Sequence, residues 1–238
     1  MCINYDFSDL LKITAEAAAK SGIGWIRFLS ANPANFSQKT IDVMAENKIF
    51  ARHLHLPVQH GSDKILKAMN RGYTAQRYLD LVSAIRGAMP GITLSTDILA
   101  GFPGETEDDI EKTFNLMNEV KFLYSYMYHF NPREGTKAFD LPDRISDEVK
   151  KERLSRVIKL QKKHTTELLN ARLGSREIVL VEGISRKNAD ELITRTERDE
   201  MVAVPGRRPM IGSFGKLTIS ALKGNTFRAK ELEICPGV

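Results

Sequence analysis

The stretch "LSTDILAGFPGETEDD", residues 94–109, runs from β-branched and apolar residues into two glycines and a proline, then straight into acids. Residues 92–99 have the composition of a buried strand. Gly101 and Gly104 let the backbone turn without a Cβ penalty, and Pro103 fixes one φ between them. Thr106 followed by Asp109 has the capping-box spacing and predicts a helix start. Glu105 stands at or just before that first turn, where the helix dipole favours an anion. Strand, glycine turn and helix make one βα unit, and in α/β folds ligands gather at the carboxyl ends of the strands. A well-made turn with no ligand would read the same way, so the weight falls on what surrounds it.

Working outward, the first 140 residues alternate helical and strand patterns. Helices are expected over 7–21, 37–47, 62–69, 74–89 and 106–120, with Ser37 and Ser62 as N-caps. Strands are expected over 24–29, 51–59, 92–99 and 122–130. This βαβα order predicts a parallel sheet with helices outside it, open or as a sector of a barrel, because four strands are too few for a closed eight-stranded one. A loop over 131–146 leads to a long helix, 146–173, capped by Ser146 and stopped by Gly174. Beyond Gly174 short β-rich segments separated by turn residues predict a small antiparallel barrel of about five strands. The domains expected are therefore 1–145, the connecting basic helix 146–173, and 174–238.

The bulk composition fits a soluble globular protein: 238 residues, 42% hydrophobic and 27% charged. No apolar run is long enough to span a bilayer, and the N-terminus lacks a signal-peptide pattern, which predicts the cytoplasm. The net charge of +5 is uneven. Residues 1–143 are net −2, 144–173 net +5 and 174–238 net +2, so the basic excess lies in the last third, compatible with a nucleic-acid partner or with a solvated basic helix. The two cysteines, Cys2 and Cys235, form neither a metal-spaced pair nor a disulfide framework.

Four predicted strand ends run into polar loops: "RFLSANP" (27–33), "HLHLPVQHGSD" (53–63), the opening stretch, and "YHFNPREGT" (128–136). On one rim they would line a pocket. Gln59 offers donors and acceptors for an adenine edge or a carboxylate, or it bonds a loop carbonyl. Asp97 is a buried acid or a ligand acceptor. His53 and His55 share a strand face, but no third metal ligand follows at a clear spacing. Arg133 and Glu134 can pair across their loop. Tyr124, Tyr126 and Tyr128 alternate onto one face, where core packing is the first reading and base stacking the second. In "SRKNADELITRTERDE", Arg186, Lys187, Arg195 and Arg198 are phosphate contacts or a solvated loop.

Several of these segments together carry a resemblance. "HLPVQHGSDKILKAMNRGYT", "DILAGFPGETEDDIEKT" and "FNPREGTKAF" resemble the radical S-adenosylmethionine methylthiotransferases. "VEGISRKNADELITRTERDEMVAVPG" and "IGSFGKLTISALKGNTFRAKEL" resemble their C-terminal TRAM domain, a small RNA-binding β-barrel. The similarity runs from about residue 4 to 231, and "HLPVQ.GS" with "SRKN…L..RT" favours the tRNA branch over the ribosomal-protein branch. It implies an α/β fold, a partial radical-SAM (β/α) barrel followed by a TRAM barrel. It implies C2 methylthiolation of N6-isopentenyladenosine beside the anticodon, with S-adenosylmethionine and [4Fe–4S] clusters as cofactors and tRNA as partner. By the same resemblance Gln59 and the turn with Gly101, Gly104 and Glu105 face S-adenosylmethionine, with Asp97 added as a cofactor-binding candidate from its place on the strand, and the basic residues Arg186, Lys187, Arg195 and Arg198 face tRNA. The family's CxxxCxxC loop has no counterpart in these residues, and one thiol cannot hold a cluster that needs three. No catalytic or metal-ligating residue is therefore assigned. The expectation is the C-terminal part of such an enzyme, inactive alone and prone to self-association through an open sheet edge, or a non-catalytic RNA-binding remnant.

Overall fold

The computed structural model describes residues 5–29, 31–186 and 188–235. The chain divides into two compact units. One comprises Phe28–Asp42 and Leu54–Thr165; the other comprises the residues up to Arg27, Val43–His53, and those from Thr166 onward.

The first unit is built on a three-stranded sheet ordered β1 (His53–His55), β2 (Thr93–Ala100), β3 (Tyr124–His129). β2 and β3 are parallel, with Asp97 opposite Tyr126; a parallel bridge joins Gln59 to Ile98. The pleat sends Leu94, Thr96, Ile98 and Ala100 to one face, where all are buried. Tyr78, on the helix Ala75–Ala88, is fully buried among them and donates its hydroxyl to the Leu56 carbonyl at 2.8 Å. Its ring lies 6.4 Å from that of Phe122. The Thr96 hydroxyl donates to the same Leu56 carbonyl and accepts from Val58 N–H. The predicted capping box is present at the helix Glu107–Val120, where Thr106 and Asp109 cap reciprocally and three acids occupy the first turn. Ser37 caps through Thr40 N–H at 3.2 Å, and Ser146 through Val149 N–H at 3.4 Å, ahead of the helix Asp147–Asn170.

Expectations at Ser62 and at residues 24–29 are corrected here. Ser62 makes no side-chain cap; its hydroxyl donates instead to Asp109 Oδ1 at 2.6 Å, a partner 47 residues away that outcompetes the local one. The predicted strand over 24–29 is reduced to one parallel bridge, Ile26 to Phe50, in the second unit.

That second unit also holds the helix Phe7–Lys20 and a closed barrel. Its strands are β4 (Arg176–Ile184), β5 (Glu191–Thr196), β6 (Met201–Pro205), β7 (Phe214–Lys223) and β8 (Thr226–Ala229), with β9 (Glu233–Ile234) added on β7. Pairing runs β4-β5-β6-β8-β7 and closes through β7 to β4. The expected all-antiparallel arrangement fails at one place: β6 and β8 are parallel. The reason is parity, since five strands alternating in direction cannot close without one like-directed pair. Val179, Val181, Leu192, Val202, Val204, Ile219 and Phe227 fill the interior. A tight turn at Gly224-Asn225, with Gly224 at φ +61, joins β7 to β8. Arg172 pairs with Glu177 at 2.8 Å and with the buried Glu200 at 3.1 Å.

Candidate functional site

The face of β2 opposite its core side carries Ser95, Asp97 and Leu99, opposite Tyr124, Tyr126 and Tyr128 on β3. The tyrosine alternation thus lands on one face, as the sequence reading requires, but core packing does not describe it: Tyr126 and Tyr128 are 57% and 56% exposed. His55, buried on β1, places Nδ1 3.0 Å from the Ser95 hydroxyl and Nε2 3.4 Å from Asp97 Oδ1. Its ring meets that of Tyr126 edge-on at 5.5 Å. Gln59 completes the group, its Nε2 donating to Asp97 Oδ2 at 3.4 Å. Gln59 sits at φ +69, a left-handed conformation that costs a non-glycine residue about 1–2 kcal/mol. Two backbone bonds hold it there, to the Asp97 carbonyl and from Leu99 N–H, both at 2.9 Å. Asp97 therefore has each carboxylate oxygen oriented by a neighbour while its side chain stays 27% exposed. It is an acceptor held ready at a surface.

The turn after β2 behaves differently. Gly101 and Gly104 both have φ +77, as the glycine reading expects. A Cβ on Gly101 would lie 2.4 Å from Lys150 Cγ. Glu105 is turned inward with a fully buried carboxylate. Its Oε2 accepts from Gly101 N–H and from His60 Nε2, each at 2.9 Å. Its Oε1 accepts from Arg153 Nη1 at 2.8 Å. His60 Nδ1 accepts from Ser62 N–H at 3.0 Å, so the proton is on Nε2 and points at Glu105. The structure thus brings Gln59 and Asp97 together and places Glu105 as the anchor of the Gly101–Gly104 turn. Sequence reasoning missed His60 and Arg153 as its partners. The adjacent Asp109 is nearly buried, which works against its charge. Hydrogen bonds from Ser62, from Thr106 and from Lys64 outweigh that and hold its carboxyl well below the usual range.

The basic residues of the barrel also separate. Arg186 is exposed on the loop after β4. Lys187 lies outside the described residues. Arg195 is engaged, donating to Glu182 at 2.6 Å and Asp199 at 3.2 Å. Burial alone would lower its pKa, but those two acids raise it above the ordinary value. Arg198 donates its backbone N–H to Thr196 Oγ1. Unforeseen is a groove of about 620 Å³ on the outside of the barrel, lined by Arg186 together with Ile193, Met201, Ala203, Lys223 and Arg228. A sequence signal for it existed in the basic residues flanking the Gly224-Asn225 turn.

Among the described residues no group of three His, Cys, Asp or Glu side chains could hold a metal ion, and no helix is long and apolar enough to cross a membrane. With two cysteines in the sequence, one of them at Cys235, these residues do not fit a cluster that takes three thiolates. The acceptor and amide at Asp97 and Gln59 do fit the amine and hydroxyl groups of a nucleoside-bearing ligand.

Residues 3–117 match the family model described as the radical SAM superfamily. The chain is 50% identical over 227 residues to the tRNA-2-methylthio-N(6)-dimethylallyladenosine synthase of Treponema denticola, covering 94% of this chain and 50% of the relative. The synthase of the same name from Legionella pneumophila is 40% identical over 97% of this chain and 52% of its own. The chain thus spans about half the length of these curated relatives. In fold it is similar to the coproporphyrinogen III oxidase HemN of Escherichia coli, described as a radical SAM enzyme. The TM-score is 0.57 at 11% identity, covering 90% of this chain and 52% of that one.

Proposed function

We propose that these residues are part of a tRNA-modifying methylthiotransferase that adds a methylthio group to C2 of N6-isopentenyladenosine. The observation that carries this reading is the 50% identity to the Treponema denticola enzyme across 94% of the chain. In this reading residues 1–145 form part of the radical SAM barrel, 146–173 the connecting helix and 174–238 a TRAM-like RNA-binding barrel, working in the cytoplasm. S-adenosylmethionine, when bound with a reduced cluster, supplies the radical. The residues here would bind and orient it. Asp97 accepts its hydroxyl or amine protons, Gln59 offers its carboxamide beside Asp97, and Gly101 and Gly104 let the backbone approach. Glu105 keeps that turn in place through His60 and Arg153. Cluster thiolates must come from residues outside these 238. Arg186 and Arg198 face the tRNA, with Arg195 holding its loop.

The test is genetic and chemical. Deleting the coding sequence from its host and digesting total tRNA should remove the methylthiolated nucleoside and raise its N6-isopentenyladenosine precursor. An unchanged nucleoside profile would overturn the reading. The cysteine count favours a second reading, an RNA-binding remnant without catalysis. An immunoblot from the source cells separates the two, since a band near 26.8 kDa supports the remnant and a much larger one the enzyme. The open edges of the three-stranded sheet favour self-association of the isolated chain, and a monodisperse monomer by light scattering would contradict it.

A further inference from the structure

The groove on the barrel lies across strand faces, where no loop-based reading placed a ligand. Its floor is apolar: Ile193 on β5 and Met201 and Ala203 on β6, with Met201 37% exposed despite its size. Its rim is basic, and the charges there are not equivalent. Arg228 is neutralised by Glu191 at 2.7 Å. The acid on the rim, Glu182, is neutralised in turn by Arg195 at 2.6 Å. Arg186 and Lys223 are left as the rim cations without an ion-pair partner among the described residues. An apolar floor between two unspent cations has a definite complement, a flat ring flanked by phosphates.

We infer that this groove takes an unpaired nucleotide of a single-stranded RNA segment, its base against Ile193 and Met201 and its flanking phosphates on Arg186 and Lys223. The inference rests on the RNA-binding reading above and extends the contact from the β4–β5 loop, where Arg186 stands, onto the strand face. The volume is in the range that encloses a small ligand. A duplex keeps its bases paired and stacked inside and cannot offer a face to the floor, whereas an unpaired base can. A thioether against an aromatic ring is a favourable contact, and base stacking on a protein platform tolerates sequence.

The experiment measures binding of the full chain to a fluorescent single-stranded RNA decamer, to a blunt RNA duplex of equal length and to a polyglutamate peptide. Each is titrated over a range of salt. Arg186→Gln with Lys223→Gln should weaken decamer binding at least tenfold and lower the salt slope by about 1.4, from two lost phosphate contacts at ~0.7 each. Met201→Ser should weaken decamer binding at least fivefold with the slope unchanged, and leave the duplex unaffected. Lys216→Gln, an exposed lysine near the start of β7, should change nothing. Circular dichroism of each variant checks that the barrel is folded; if Met201→Ser is not, Met201→Leu should keep decamer affinity and Ile193→Ala should lose it. A wild-type chain that binds the decamer, with groove variants binding equally well, overturns the groove while sparing the RNA-binding reading. A chain that binds no RNA at low salt overturns both. Polyglutamate that displaces the decamer at equal charge, with Met201→Ser without effect, makes the occupant an acidic peptide and overturns the proposal.

Discussion

β2 ends in a turn whose acid is fully engaged, and it carries a face whose acid is not. At the turn, Glu105 spends both oxygens on Gly101, His60 and Arg153, and its side chain has no exposed surface. Eight residues earlier on the open face, Asp97 is held by His55 and Gln59 but remains partly exposed beside two exposed tyrosines. The same strand therefore separates two tasks. One acid fixes the shape of a loop; the other is left to meet something. Buried charge is costly to orphan and surface charge is cheap to alter, so the two acids must answer mutation differently.

The largest effect is expected at Glu105. Glu105→Ala leaves the buried Arg153 guanidinium with the more distant and half-exposed Glu107, 3.6 Å away, as its remaining carboxylate, and also removes the acceptor of His60 and Gly101 N–H; unfolding in urea should show a loss of about 3 kcal/mol. A loss below about 1 kcal/mol would erase the distinction between the two acids. Next comes Gly101→Ala, which forces a side chain into φ +77 and against Lys150. It should cost about 1–3 kcal/mol, and Gly104→Ala, with the same φ but open space around it, should fall at the lower end. A pH series sharpens the picture at Asp109. Its folded carboxyl is held below its unfolded value, so its contribution is complete above the unfolded pKa, about 3.9. That contribution drains as the pH falls toward the folded pKa. Wild-type stability should therefore drop on acidification below about pH 4, and Asp109→Asn should start lower and lose that part of the slope. The smallest effect is at Asp97. Asp97→Asn should leave stability within about 0.5 kcal/mol while weakening S-adenosylmethionine binding by calorimetry; unaltered affinity would remove Asp97 from the ligand site.

Much of this architecture could be read from residues near one another in sequence. The βα alternation from β1 to β3, the Thr106–Asp109 capping box, the Ser37 and Ser146 caps and the glycine turn are local chemistry, and all are present. What escaped is chemistry between distant residues. Ser62 had a plausible local task and took a distant one at Asp109. Residues 24–29 have strand composition, but a strand exists only where a partner pairs along its length, and here one bridge forms. Tyr126 and Tyr128 were placed on the correct face, but alternation does not say whether that face is covered. Arg195 and Arg186 looked alike as basic residues of one loop; only their neighbours distinguish a spent charge from an available one. The parallel pair of the barrel was, by contrast, deducible in advance from an odd strand count.

That odd count has a mechanical consequence. A hoop with one mismatched joint opens at the joint. β6 meets β8 over two residue pairs, Val202 with Phe227 and Ala203 with Arg228, whereas β5 meets β6 over five. Ala203 and Arg228 also line the groove. The concavity therefore sits astride the seam of the barrel, where amide protons should exchange soonest and where a small spreading of two staves changes the width of the slot without disturbing the rest of the ring.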